Sequence, residues 1–98
     1  MDETTRLYEA DASKLTTRQR FEKMLIERGM FYDQAHAVMD KAVPVINEQC
    51  GDYEVTWDRP STEYPDAVYD VMFLEVKTIA LEYIEQVCPN AWFKAMFA

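Results

Sequence analysis

The stretch 64–87, YPDAVYDVMFLEVKTIALEYIEQV, constrains this chain more than any other, because it is the one long segment with a strong helical period. At about 100° per residue, Val68, Tyr69, Met72, Val76, Ile79, Ala80, Tyr83 and Val87 share one broad apolar face, with Phe73 and Ile84 at its edge. Pro65 suits a first helical turn, where its missing N–H has no intrahelical partner to lose. Asp66 sits by the positive end of the helix dipole. On the far side Leu74, Leu81 and Cys88 make a second, narrower stripe spaced by seven. A helix that is apolar on two sides asks for cover on both. The pattern predicts a central helix whose second stripe, Leu74 and Leu81, is covered either by the chain itself or by a second copy in a homodimer.

Two further helices precede it. Thr16 followed by Gln19 is a capping box, Phe21, Met24, Leu25 and Arg28 follow at helical spacing, and Gly29 stands where a left-handed terminator belongs. This gives a helix over 17–28. Ala35, Val38, Met39, Ala42, Val45 and Ile46 then share a face through Pro44, so one kinked helix is expected over 33–48. The short joint makes the two a hairpin, and the third helix is expected to pack across it. Residues 1–15 lack a sustained period and read as a flexible arm, with a short ordered piece around Leu7 and Tyr8. In 53–57, YEVTW, alternation allows one short strand with no obvious partner. After Cys88-Pro89, Asn90 caps a short C-terminal helix or turn in which Trp92 pairs with Met96 and Phe93 with Phe97. The fold class expected is mainly α: a single helical domain over 16–98 with at most one minor strand pairing. Two glycines in 98 residues leave too few turn residues for a many-stranded β fold.

Charge narrows the function classes. Residues 1–30 hold six acids and six bases, whereas 31–98 hold twelve acids against Lys41, Arg59, Lys77 and Lys94. A net charge of −8 opposes direct nucleic-acid binding and favours solubility or encounter with basic surfaces. No apolar run has the length of a membrane span, and the first fifteen residues lack the apolar core of a secretory signal. Cys50 and Cys88 fit neither a zinc spacing nor a disulfide framework, which agrees with a reducing cytoplasm.

Site chemistry is thin. Asp33, His36 and Asp40 lie opposite the apolar stripe of their helix, and such a set can ligate a divalent metal or orient a general base. Polar residues opposite a core are also what any amphipathic helix shows to solvent. Asp66 and Asp70, one turn apart, could chelate a hard cation, but the dipole accounts for them equally. Cys50 has no histidine placed near it by sequence, and no phosphate-cradling glycine loop or nucleophile elbow is present. No cofactor is expected, and no enzyme. The better candidate is a surface: Asp52, Glu54, Asp58, Glu63, Asp66 and Asp70 run through the loop into the central helix, interleaved with Tyr53, Trp57 and Tyr64. Acids would steer a basic partner, and aromatics such as Trp57 and Tyr64 would anchor it, unless the small core takes them instead.

TTRQRFEKML (16–25), Trp57-Asp58-Arg59-Pro60 with Glu63-Tyr64-Pro65-Asp66-Ala67, and Ala91-Trp92-Phe93 with Met96-Phe97 together resemble small uncharacterised proteins of tailed bacteriophages. The likeness covers about 16–97 and carries no catalytic residues with it. It implies a viral protein working in the bacterial host cytoplasm as a host-takeover or anti-defence factor, for example of the anti-CRISPR kind. Its expected role is to inhibit a bacterial protein by occupying a basic surface that would otherwise hold DNA or RNA. A small virion structural or assembly protein is the alternative, and a metal-dependent enzyme centred on Asp33, His36 and Asp40 a third.

Overall fold

The structure, a computed structural model, describes residues 2–51, 55–59 and 64–87. Among the described residues four helices follow in chain order: α1 (Glu3–Glu9), α2 (Thr17–Glu27), α3 (Tyr32–Gln49) and α4 (Asp66–Val87), with a 3₁₀ turn at Ala12–Lys14. The protein is mainly α, with no sheet among the described residues. Each helix packs chiefly on the next: α1 on α2, α2 on α3, α3 on α4. The expected crossing of both hairpin helices by the last one is therefore replaced by a serial arrangement in which α3 is central.

Local chemistry explains the boundaries. At α2, Thr16 Oγ1 accepts from the Gln19 N–H and Gln19 Oε1 accepts from the Thr16 N–H, so both halves of the capping box form. At its other end Gly29 takes φ 107°. The Gly29 N–H bonds to Ile26 O and the Met30 N–H to Leu25 O, the paired closure of a Schellman motif, and its apolar clasp is the buried Met30 with the buried Leu25. At α4 Pro65 proves to be the residue just outside the helix, its carbonyl accepting from Val68 and Tyr69. The helix α3 runs through Pro44, whose ring lies on the exposed side. Asp40 O loses only an N–H bond that water can replace.

The core runs through all four helices, Leu7, Leu25 and Ile26 included, and its most extensive seam lies between α3 and α4. Val68, Met72, Val76, Ala80 and Ile84 are buried on α4, and Val38, Ala42, Ile46 and Cys50 continue the same four-residue spacing on α3. Ridges at i+4 on both helices belong to the packing class whose axes cross at about 50°. That explains why Ile84, expected at the edge of the apolar face, is buried. A stripe stepping by four drifts around a helix that turns every 3.6 residues. Each fully covered aliphatic side chain here contributes about 1.5–3 kcal/mol.

Residues 1–15, expected as a flexible arm, instead carry α1 and the 3₁₀ turn. Leu7 is fully buried. Asp2 caps α1 by accepting from the Thr5 N–H. Thr4 Oγ1 accepts from the Tyr32 N–H at 2.9 Å, which supplies the capping oxygen that Phe31 lacks at the start of α3, while Gln34 Oε1 accepts from the Phe31 N–H. The Lys23 ammonium donates to Leu7 O and Tyr8 O at the C-terminal end of α1, where a cation also meets the negative end of the dipole. Arg20 Nε donates to Ala12 O. The sequence hid this because one buried leucine in seven residues gives no period; the order comes from polar bonds to α2 and α3.

Residues 55–57, three of the five in the expected strand, are irregular; Tyr53 and Glu54 lie outside the described residues, as does the expected C-terminal helix with Trp92, Phe93, Met96 and Phe97. The 57–59 loop instead lies against the start of α2, where the Thr17 N–H bonds to Arg59 O and the Arg18 N–H to Trp57 O. These are first-turn amides that would otherwise lack a protein acceptor.

Candidate functional site

Of the residues expected to form a binding surface, Asp52, Glu54 and Glu63 lie outside the described residues. Trp57 does not serve as an exposed anchor. Its side chain is 8% exposed, its ring tilts against Phe21 at 6.3 Å, and Nε1 donates to Asn47 Oδ1 at 2.8 Å. Tyr64 is likewise half-buried. Its hydroxyl accepts from the Thr56 N–H at 3.0 Å and its ring meets Tyr69 edge-on. Both aromatics hold the loop down; Trp57 belongs to the core, and Tyr64 packs against it while keeping part of its surface open. In a domain this small, core takes precedence.

Asp58, Asp66 and Asp70 are exposed, and none has an ion-pair partner among the described residues. Two large apolar side chains stand near the latter two. Asp66, Asp70, Phe73 and Leu74 fall within about one quadrant of α4, and Phe73 and Leu74 are 38% and 58% exposed. Of the expected second stripe, then, Leu74 is open to solvent whereas Leu81 is half-buried against the core; Cys88 lies outside the described residues. The half-burial of Leu81 removes the need for a second cover along the whole helix.

The bases are used differently. Arg18 donates to Asp40 Oδ1 at 2.6 Å and to His36 O at 3.2 Å. Arg20 and Lys23 are fixed on backbone carbonyls of residues 7–12, and Arg28 donates to Met24 O. Four of the six bases in residues 1–30 thus tie the fold together, and among the described residues the carboxylates of 31–87 face outward, Glu75 in part.

The expected Asp33, His36 and Asp40 set is only partly assembled. His36 and Asp40 join Arg18 and Glu22 in a polar seam between α2 and α3; Asp33 is exposed and outside it. Glu22 is 3% exposed, and its Oε2 lies 3.0 Å from His36 Nδ1 and 3.7 Å from Arg18 Nε. The same Nδ1 also lies 3.2 Å from Arg18 Nη2, so it donates to the Glu22 carboxylate in one tautomer and accepts from the guanidinium in the other. Nε2 lies 3.8 Å from Asp40 Oδ2. The Arg18 hydrogen bond, reinforced by its charge, holds the Asp40 carboxyl below the usual range. Burial, and then the Glu22 charge, push the Tyr32 hydroxyl up. No group of three metal-ligating side chains gathers among the described residues, and the seam already supplies its own cation in Arg18. The sequence reading missed Arg18 and Glu22, whose i, i+4 spacing was the available signal. The pair is inconspicuous in sequence because Glu22 shares the buried side of α2 with Leu25 and Ile26, where an apolar residue is the ordinary expectation.

No helix among the described residues is long and apolar enough to cross a membrane. In comparison with known proteins, no family model matches the chain, and neither a curated protein nor a solved structure does so significantly.

Proposed function

We propose that this chain is a non-enzymatic, acidic binding protein that inhibits a bacterial protein by covering a basic surface. The partner is of the defence or nucleic-acid-handling kind, and the charged face stands in for DNA or RNA. The observation that carries this reading is the partition of charge. Arg18, Arg20, Lys23 and Arg28 are committed to bonds within the fold, while Asp58, Asp66 and Asp70 stand exposed without ion-pair partners among the described residues. Such a field speeds encounter with a cationic surface by orders of magnitude at low salt. Phe73 and Leu74 supply beside it the apolar contact area that charge alone does not give. The contact face is therefore the outer side of α4, not the aromatics of the preceding loop. The resemblance to bacteriophage proteins supplies the setting, a host cytoplasm.

The test is a pair of variants. Asp58→Asn with Asp66→Asn and Asp70→Asn should slow association and remove its salt dependence. Phe73→Ser with Leu74→Ser should speed dissociation. Both should abolish inhibition while the helical circular dichroism stays unchanged. Binding at the wild-type rate by the charge variant would make the acidity a matter of solubility alone.

A virion structural or assembly role is the second reading, and exposed Leu74 favours it. It requires self-association through α4. Light scattering that finds higher oligomers in the wild type and monomers in Leu74→Glu would support it over the first.

A further inference from the structure

An apolar groove of about 260 Å³ opens between α1 and the turn joining α2 to α3, well away in sequence from the outer face of α4. Thr5, Tyr8, Ile26, Gly29, Met30 and Phe31 line it. Its floor is the buried pair Ile26 and Met30, and its walls are two exposed aromatics, Tyr8 at 57% and Phe31 at 68%. Phe31 is placed there by the left-handed Gly29, which turns the chain sharply enough to bury Met30 and leave the next side chain outside. Aromatic walls over a buried apolar floor, on a chain with little core to spare, call for an occupant.

We propose that the groove docks a short peptide segment of a partner protein, one bulky apolar side chain flanked by lysine or arginine. Size argues for a side chain: the volume is below the roughly 300–1,000 Å³ usual for small-molecule sites. Charge argues for basic flanks. Glu9, Glu27 and Asp33 are exposed within two residues of the lining, and among the described residues none of them has an ion-pair partner. The cations nearby direct their donors to other groups of this chain, although Lys23 and Arg28, bonded to neutral carbonyls, keep their charge. Arg6 forks onto Glu3, the Lys23 ammonium sits on the α1 carbonyls and over the Tyr8 ring, and Arg28 donates to Met24 O. A second copy of the chain is disfavoured as occupant because the chain carries a net charge of −8 and like charges oppose self-docking. This surface is independent of the α4 face and stands or falls separately.

The test uses two synthetic peptides, each with one leucine and one tryptophan. One is flanked by lysines and arginines, the other by glutamates. Titrated into the ¹⁵N-labelled full chain, the basic peptide should shift the amides of Thr5, Gly29, Met30 and Phe31, and bind at least about tenfold more tightly than the acidic one. Tyr8→Ser with Phe31→Ser, both exposed positions, should weaken it by about tenfold or more. Glu9→Gln with Glu27→Gln and Asp33→Asn keeps the apolar surface and should erase the preference between peptides. Equal binding of the two peptides to the wild type would overturn the proposal. So would absence of binding, shifts centred on Asp66–Leu74 instead, or a Phe31-dependent dimer that excludes the peptide.

Discussion

The helix α3 meets its two neighbours by opposite means. Against α4 it presents Val38, Ala42, Ile46 and Cys50 to an aliphatic ridge of Val68, Met72, Val76, Ala80 and Ile84. Against α2 it also sets His36 and Asp40 beside Arg18 and the buried Glu22. The first seam is non-directional and gains with every covered methylene. The second depends on partners standing within hydrogen-bond distance, and it holds Arg18 between the two helices. The acidic outer surface therefore comes from more than composition: the first thirty residues contain as many bases as acids, but four of the six bases bond within the fold.

The largest effect should come from breaking the apolar seam. Met72→Ala or Ile46→Ala should cost about 2–5 kcal/mol, read as a fall in the denaturation midpoint, since both side chains are fully covered. If either variant keeps wild-type stability, the α3–α4 ridge is not the core. The polar seam should be weaker and coupled. His36→Ala leaves the Glu22 carboxylate covered with only Arg18 at 3.7 Å, a cost of about 1–3 kcal/mol. The double variant Glu22→Gln/His36→Ala should lose less than the sum of its singles by about 0.5 kcal/mol or more, and strict additivity would show that the two side chains do not act together.

Smaller still is the cap that α1 lends to α3. Thr4→Val should cost about 1 kcal/mol, with faster amide exchange at Tyr32 than anywhere in α4. The smallest effect concerns Asp40. With its folded pKa depressed by Arg18, its contribution is present above the unfolded value of 3.8 and is lost as pH falls through the lower folded value. Arg18→Met should move the Asp40 titration, followed by side-chain carboxyl NMR, back up toward 3.8. Asp40 is largely exposed, so the change in stability should be within about 0.5 kcal/mol.

The same contrast decides what the sequence could reveal. Apolar periodicity exposed α2, α3 and α4 almost to their ends, because burial of a face repeats every turn. The capping box at Thr16 and the terminator at Gly29 were legible for the same reason: each is a local bond pattern within a few residues. The fold of α1 was not legible, since it rests on Thr4 meeting Tyr32 and Lys23 meeting Leu7, contacts 28 and 16 residues apart. At the candidate site, Asp58, Asp66 and Asp70 are exposed, as acids on a solvated face are whether or not they meet a partner. For Trp57 the sequence left core and anchor both open, and the structure shows core, with Asn47 and Phe21 converging on it. An aromatic beside acids looks the same in sequence whether it anchors a partner or a loop.

Whether the outer face of α4 is the contact surface is tested most directly by capture from bacterial lysate on immobilised protein. Wild type is compared with a single face variant carrying Asp66→Asn, Asp70→Asn, Phe73→Ser and Leu74→Ser, at low and at high salt. A contact face on α4 predicts a basic bacterial protein held by the wild type at low salt, released as the Debye length shrinks from about 10 Å toward 3 Å, and absent from the folded face variant at either salt. Retention of the same protein by the face variant, with undiminished salt dependence, would contradict it.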